Sequence, residues 1–346
     1  MNEPFGGKVI VFGGDFRQVL PVIPNASRQD VVMASLRSSY LWHHCKLLKL
    51  TKNMRLTVGA STDLEDIKEF GEWLLEIGNG TINEPNDGEA TIQIPDDILI
   101  KGKSDKPIDS IVDSIYPDIS SNMLDPTFFQ DRAILAPTHE VVDLINETVM
   151  EKIDGEEKVY LSSDSICESE IGSDFNQHLY NQDFLNSIKV AGIPNHRLAL
   201  KKGVPVMLLR NIDQPGGLCN GTRLKIRKLG ERVIEAEIIS GSNVGKITFI
   251  PRMKLTPSDK RIPFRFQRSQ FPLCVCFAMT INKSQGQSLS QVGLFLKNPV
   301  FSHGQLYVAL SRVKSKQGLR VLILDKEGNV TNTTKNAVFK EVLTDL

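Results

Sequence analysis

Val9-Ile10-Val11-Phe12 runs directly into Gly13-Gly14-Asp15-Phe16-Arg17-Gln18. Four apolar residues ended by a glycine pair read as a buried strand of a parallel sheet that delivers a loop at its carboxyl edge. Open α/β sheets bind ligands at that edge. Gln18 brings an amide able to contact a γ-phosphate and an attacking water together. Asp15 can orient the loop or support a magnesium shell. Taken alone, the six loop residues fit a plain strand-to-loop turn, with Asp15 as a cap, equally well.

Three more blocks follow in order. Asn53-Met54-Arg55 lies just past Leu47–Leu50, a second expected strand. Thr280-Ile281-Asn282-Lys283-Ser284-Gln285-Gly286 and Ala309-Leu310-Ser311-Arg312 come far downstream. Arg55 and Arg312 are planar, permanently charged forks of the kind that stabilise a phosphoryl group in transit. Either one alone fits a surface ion pair as well. Leu306, Leu310 and Val313 make an apolar stripe on a helix expected over Gln305–Val313, with Arg312 beside it at the end.

Thr280–Gly286 joins an expected strand, Pro272–Thr280, to a helix expected from about Ser284. A helix start there offers Thr280, Lys283, Ser284 and unpaired backbone N–H groups to an anion. Ser284 with Gln287 also spells a capping box, which leaves Lys283 over. Ala133–Ala136 reads as a strand, Pro137-Thr138 as a turn and Glu140–Lys152 as a helix with Val142, Ile145 and Val149 on one side. Thr138 thus holds an equivalent turn. Two such turns suit a strand of nucleic acid better than one nucleotide.

A chain of 346 residues, 40% apolar and 24% charged, has core enough for two or three soluble domains. No apolar run is long enough to span a membrane, and Met1-Asn2-Glu3-Pro4 does not resemble a secretory signal. Five cysteines argue against a disulfide framework and for a reducing compartment. Cys274 and Cys276 would share one face of a buried strand over Phe271–Met279, as free thiols rather than zinc ligands. A net charge of zero hides an asymmetry. Residues 61–130 carry sixteen acidic and four basic residues, and residues 197–268 carry sixteen basic and five acidic. The basic segment suits a phosphate backbone. Both segments also read as solvated faces that balance each other.

Asp63–Ile77 has helical spacing, with Ser61 as N-cap and Gly78-Asn79-Gly80 as the stop. Thr81–Pro126 reads as a long connection with little core, and Glu156–Asn186 resists assignment. Val204–Leu209, Thr222–Lys228, Val233–Ile239 and Lys246–Ile250 read as strands of a small inserted barrel or sandwich. Leu319–Leu324 closes the main sheet. Lys260–Arg268 interleaves Phe264 and Phe266 with four positive charges, either to stack on bases or, slightly favoured, as a barrel-edge strand with buried aromatics. Gly102-Lys103-Ser104 mimics the end of a phosphate loop, but the first glycine of that pattern falls on Asp97.

In their fixed order these blocks resemble the Pif-one (petite integration frequency) DNA helicases, especially the plant and Helitron-transposon type, in the RecD-like branch of superfamily one. Gly13–Val22 is similar to helicase motif III, Asn53–Arg55 to motif IV, Thr280–Leu289 to motif V and Gln305–Val313 to motif VI. Ala136–His139 resembles a DNA-contact motif. Val204–Leu224, with Asn220-Gly221-Thr222, resembles the family's SH3-like 2B domain.

The resemblance implies an α/β, RecA-like P-loop NTPase helicase core, its first domain incomplete, with an inserted SH3-like β-barrel. Residues 1–60 would be the end of motor domain 1A, 61–130 an acidic helix and linker, 131–190 and 270–346 motor domain 2A, and 191–269 the 2B domain. The implied activity is ATP- and Mg2+-dependent 5′-to-3′ movement on single-stranded DNA and DNA junctions, in telomere maintenance, recombination and repair. A nuclear or mitochondrial monomer is expected. Gly14, Asp15, Gln18, Arg55, Gly286 and Arg312 would serve ATP. Thr138, Thr280, Lys283, Ser284 and Arg265 would touch DNA. Asn282 stands where many relatives carry histidine. The phosphate loop and the magnesium-binding acidic motif would precede Gly13, so a truncated or split product, or a transposon remnant, inactive alone, is expected. An ATP-independent single-stranded DNA-binding fragment is the alternative.

Overall fold

Residues 4–50, 64–101, 106–123, 125, 127–167, 180–190, 192–257, 262 and 264–344 are described by the computed structural model. Asn53–Arg55, Ser61 and the Gly102–Ser104 decoy lie outside them. The helices are α1 (Arg28–Met33), α2 (Leu64–Asn79), α3 (Pro107–Ile115), α4 (Ile119–Asn122), α5 (His139–Lys152), α6 (Gln182–Ser187) and α7 (Gln305–Leu310). The first strands are β1 (Glu89–Gln93), β2 (Arg132–Ala136), β3 (Glu157–Leu161), β4 (Ser163–Ile166) and β5 (Arg197–Lys201). Next come β6 (Pro205–Leu208), β7 (Arg223–Leu229), β8 (Val233–Ile238), β9 (Ile247–Pro251), β10 (Met253–Leu255) and β11 (Phe266–Gln270). The last are β12 (Leu273–Val275), β13 (Ala278–Thr280), β14 (Gln291–Leu296), β15 (Leu319–Leu324), β16 (Val330–Thr331) and β17 (Thr333–Ala337). They fall into two units: Met1–Pro117 with Arg132–Asp143 and Met279–Leu346, and Asp118–Asp131 with Leu144–Ala278.

The first unit is built on a sheet of order β13-β2-β14-β15-β16. β2, β14 and β15 run parallel, and β16 turns back antiparallel. Val292, Leu294, Phe295, Leu296, Leu319, Val321 and Leu322 are buried, the near-continuous apolar pattern of strands covered on both faces. α3 lies against β14 at Gly293, where a Cβ would sit 2.6 Å from Ile115 Cγ1. α2 buries Phe70, Leu74 and Ile77, and at the helix end the Ile77 carbonyl accepts from Gly80 N at 3.2 Å and from the Asn336 amide on β17 at 2.9 Å.

Two expected strands do not form. Val9–Phe12 and Leu47–Leu50 have no strand assignment, and Val9, Val11 and Leu50 are 91%, 90% and 101% exposed. An apolar run becomes a strand only where a neighbour completes its hydrogen bonds, and among the described residues no strand pairs with either. The stretch from Thr81 to Pro126 is not a connection with little core. It supplies β1, α3 and α4 and buries Ile92, Ile94, Ile98, Ile111, Val112 and Ile115. Most of its described acidic residues lie in the turns between short elements, with Glu89 on β1 and Asp113 on α3 at exposed positions.

The second unit holds an antiparallel sheet of order β12-β6-β7-β8-β9, within a residue of the expected strands. Val206, Leu208, Leu224, Ile226, Ile234, Ala236, Ile238 and Ile250 form its core. A smaller sheet, β10-β11-β4, buries Arg268 completely against Asp164 in a two-pronged ion pair at 2.6–3.1 Å. Carbonyls of Leu185, Ile188 and Pro194 take its remaining N–H groups. Phe264 and Phe266 are 5% and 0% exposed in a cluster with Leu185, Ile193 and Leu255, so they are core and not a stacking platform.

Phe271–Met279 is not one strand. β12 pairs with β6 in the second unit, and β13 joins the parallel sheet. Cys276 lies between them, so it does not share a strand face with Cys274, and burial pushes its thiol pKa up. Much of the positive charge in residues 197–268 serves the unit itself. Lys201 donates to the carbonyls of Met150 and Ile153, Lys225 to Asp125, Arg210 to Thr256 and Arg252 to Leu161. Lys202, Lys228, Arg232, Lys246 and Lys254 remain exposed.

Candidate functional site

The loop after Phe12 is closed by its own side chains. The Asp15 carboxylate accepts from the Arg17 backbone N–H at 3.0 Å, and the Asp15 carbonyl from Gln18 N at 3.1 Å. The Arg17 guanidinium reaches back to Asp15 at 3.4 Å and forward to Asn79, at the end of α2, at 2.7 Å. The loop rests on α7. Gly304, the N-cap of α7 at φ +71°, takes a left-handed conformation directly under the Arg17 carbonyl, where a Cβ would collide.

Three side chains at α7 and just before it grip that loop and its partner. The Tyr307 hydroxyl donates to Asp15 Oδ2 at 3.0 Å. Burial, then the Asp15 charge and this hydrogen bond, push the Tyr307 pKa up to about 12, so the phenol keeps its proton. His303 is fully buried, and its Nδ1 accepts from Phe339 N at 2.7 Å. Its Nε2 therefore carries the proton and donates to the Phe16 carbonyl at 2.7 Å. Burial holds this imidazole below its ordinary pKa, against the opposing pull of the Phe16 carbonyl. Gln305, 1% exposed, accepts from the N–H groups of Phe301 and Ser302 and donates to Asn282 Oδ1 at 3.2 Å.

Thr280–Ser284 does not start an α-helix. Ile281–Ser284 is a single 3₁₀ turn, and the Ser284 hydroxyl donates back to the Ile281 carbonyl at 2.7 Å instead of capping. Without helical turns behind it there is no macrodipole, so the helix-terminus argument for an anion there falls. Gly286, at φ +81°, turns the chain with open space around it. Just before it, the Gln285 amide donates to Gln18 Oε1 at 3.1 Å.

Arg312 is 8% exposed and inward-facing. It donates to the carbonyls of Val308 at 2.8 Å and Gln287 at 3.0 Å, and to Ser311 Oγ at 2.9 Å. The first unit thus gathers Asp15, Gln18, Ser284, Gly286 and Arg312 around one loop, 284–287, and one helix, α7. Gly14 is exposed, and a Cβ there would meet nothing. Thr280 closes β13, and Thr138 follows β2, its neighbour in the sheet. The Thr138 hydroxyl oxygen is buried with no hydrogen-bond partner among the described residues. Lys283 is half-buried, and Arg265 is exposed before β11 in the second unit. Arg55 lies outside the described residues.

Sequence reasoning missed Tyr307, His303, Gln305 and Gln285. Tyr307 and Gln305 stand within the quoted Gln305–Val313 block, but reading its apolar stripe draws the eye to Leu306, Leu310 and Val313. A lone histidine such as His303 carries no pattern that marks it.

The amides of Gln18 and Gln285 are of a kind that suits a phosphate, whereas Arg312 directs N–H groups to Val308, Gln287 and Ser311. The site does not suit a resident magnesium ion. Both oxygens of Asp15 are engaged, and among the described residues no group of three or more His, Cys, Asp or Glu side chains could hold a metal.

The family model for PIF1-like helicases matches residues 1–88, and the model for the 2B domain of DNA helicase Pif1 matches residues 183–229. The chain is thus similar to PIF1-like helicases in both of these segments. It is 29% identical over 337 residues to the ATP-dependent DNA helicase PIF1 of Xenopus laevis, covering 94% of this chain and 42% of that protein. The crystal structure of Pif1 helicase from Candida albicans superimposes with a TM-score of 0.60 at 25% identity, covering 99% of this chain and 69% of that one. Pif1 helicase from Bacteroides, solved in complex with ADP-AlF3 and ssDNA, superimposes at 0.58 and 21% identity, covering 95% of this chain and 66% of that one, and supports the RecA-like helicase fold. The chain thus spans less than half the length of the curated Xenopus relative. Among the described residues no helix is long and apolar enough to cross a membrane.

Proposed function

We propose that this PIF1-like chain provides the nucleotide-sensing and strand-gripping surfaces of an ATP-dependent 5′-to-3′ DNA helicase, acting in the nucleus in telomere maintenance, recombination and repair. Gln18, with Gln285 beside it, would face the γ-phosphate, and Arg312, with Arg55, would neutralise charge that develops there. Mutagenesis of such arginines in related phosphoryl-transfer enzymes changes turnover by about 10³–10⁵. Thr138, Thr280, Lys283 and Ser284 would hold the DNA strand, and Arg265 is a separate proposed DNA contact. ATP supplies the phosphoanhydride whose cleavage drives movement. Residues 1–60 and 131–190 with 270–346 are the expected motor domains, and 191–269 the 2B domain.

The observation that carries this reading is the pair of bonds Tyr307–Asp15 and Gln285–Gln18, by which blocks from the two ends of the chain share one site. A second reading, ATP-independent binding of single-stranded DNA, is favoured by the inward set of Arg312. Strand displacement on duplexes with a 5′ or a 3′ single-stranded tail, with the gene product as expressed, separates them. ATP-dependent opening of the 5′-tailed duplex alone supports the helicase. Salt-sensitive binding without opening supports the second reading, and no binding overturns both.

A further inference from the structure

Gln305 and Tyr307 are two residues apart on α7, so their side chains leave the helix about 200° apart. One holds Asn282 in the Thr280–Gly286 turn, and the other holds Asp15 in the Gly13–Gln18 loop. From the helix end, Arg312 donates to the Gln287 carbonyl, just beyond that turn. His303 and Gly304, at the start of α7, contact the backbone of Phe16 and Arg17. A helix of six residues is held on opposite sides by two part-buried side-chain hydrogen bonds, at 3.2 Å and 3.0 Å. A displacement of the turn that holds the DNA therefore has a path to the loop that carries Gln18.

We infer that α7 is a relay between the strand-gripping turn and the nucleotide-sensing loop, and that Tyr307 is the positioning residue that makes the connection. The inference rests on the helicase reading of the two loops. Tyr307 touches neither DNA nor nucleotide in this account. It acts through Asp15, whose second anchor is Arg17, itself tied to Asn79. Asn282 is the other end of the relay. Its amide oxygen takes the Gln305 N–H, so the residue at that position needs an acceptor there, which histidine also supplies.

The chain contains its own reporter. Of its two tryptophans, Trp42 stacks edge-on against Phe16 with ring centroids 5.6 Å apart, while Trp73 lies on α2. Thus Trp73→Phe leaves emission from Trp42 next to the loop in question. Titration of that protein with a thymidine oligonucleotide is expected to shift Trp42 emission in step with binding measured by anisotropy of the labelled oligonucleotide. Adding Tyr307→Phe is expected to leave the affinity within about threefold and to remove most of the emission shift. Arg17→Met, which loosens Asp15 from its other side, is expected to reduce the shift part-way and serves if the first variant does not fold. An emission shift that both variants retain, or binding with no shift in the parent, overturns the relay and leaves the helicase reading standing. Failure of the parent to bind the oligonucleotide overturns the helicase reading itself.

Discussion

The Tyr307 hydroxyl donates to Asp15 Oδ2 at 3.0 Å although 292 positions separate the two residues. The bond is made in a setting that raises the phenol pKa, so the donor never loses its proton at physiological pH. A hydrogen bond to a charged acceptor contributes more than a neutral one. It closes the N-terminal loop onto the C-terminal helix, and the functional account depends on that closure.

Tyr307→Phe keeps the ring and removes the bond. The expected loss is about 1–2 kcal/mol, because Asp15 keeps its Arg17 contacts and some water. Urea unfolding followed by Trp42 emission measures it. Tyr40→Phe, at an exposed tyrosine, is the control, with no expected change.

Gly304→Ala meets both a left-handed φ of +71° and the Arg17 carbonyl. Strain and displacement of the loop together are expected to cost about 2–3 kcal/mol. A fall in thermal midpoint of several degrees would register it, with loosening of the Trp42–Phe16 contact visible in near-UV circular dichroism.

Arg268→Met strands a fully buried Asp164 carboxylate and frees three carbonyls, at an expected cost of about 3–5 kcal/mol. The double variant Asp164→Leu with Arg268→Met removes both charges and is expected to recover part of that loss. Denaturant unfolding of the four proteins gives the coupling directly.

His303 makes stability depend on pH. Burial depresses its folded pKa below the ordinary 6.5, with Arg28 adding to the depression and Phe16, Glu341 and Asp15 opposing it. The unfolded chain then binds the proton that the folded chain refuses, so stability rises with pH in this range. The contribution is complete above about pH 6.5 and is lost as pH falls toward the depressed value. Thermal midpoints between pH 7 and pH 5 should fall more steeply in the natural chain than in His303→Gln.

How much of this could be read beforehand varies by element. β2 with α5, four of the five strands of the second unit's main sheet (β6, β7, β8 and β9), and β15 were legible because alternation and helical spacing survive in long, regular segments. Val9–Phe12 and Leu47–Leu50 were not, because composition marks a segment that favours a strand without saying whether a neighbour pairs with it. The anion-binding helix after Thr280 failed for a local reason. Ser284 spends its hydroxyl on Ile281, and a one-turn 3₁₀ segment takes the place of the helix. The blocks carried the resemblance to the helicases, but the contacts that join the described ones pass through Tyr307, His303 and Gln305. Their importance arises from tertiary proximity, which no spacing along the chain encodes.

DNA-stimulated ATP hydrolysis by the gene product as expressed, compared among the natural chain, Gln18→Ala and Arg312→Ala, tests the account most directly. The account predicts stimulation by single-stranded DNA in the natural chain and a loss of about 10²-fold or more in each variant, with oligonucleotide affinity retained. Equal rates in all three proteins would contradict it.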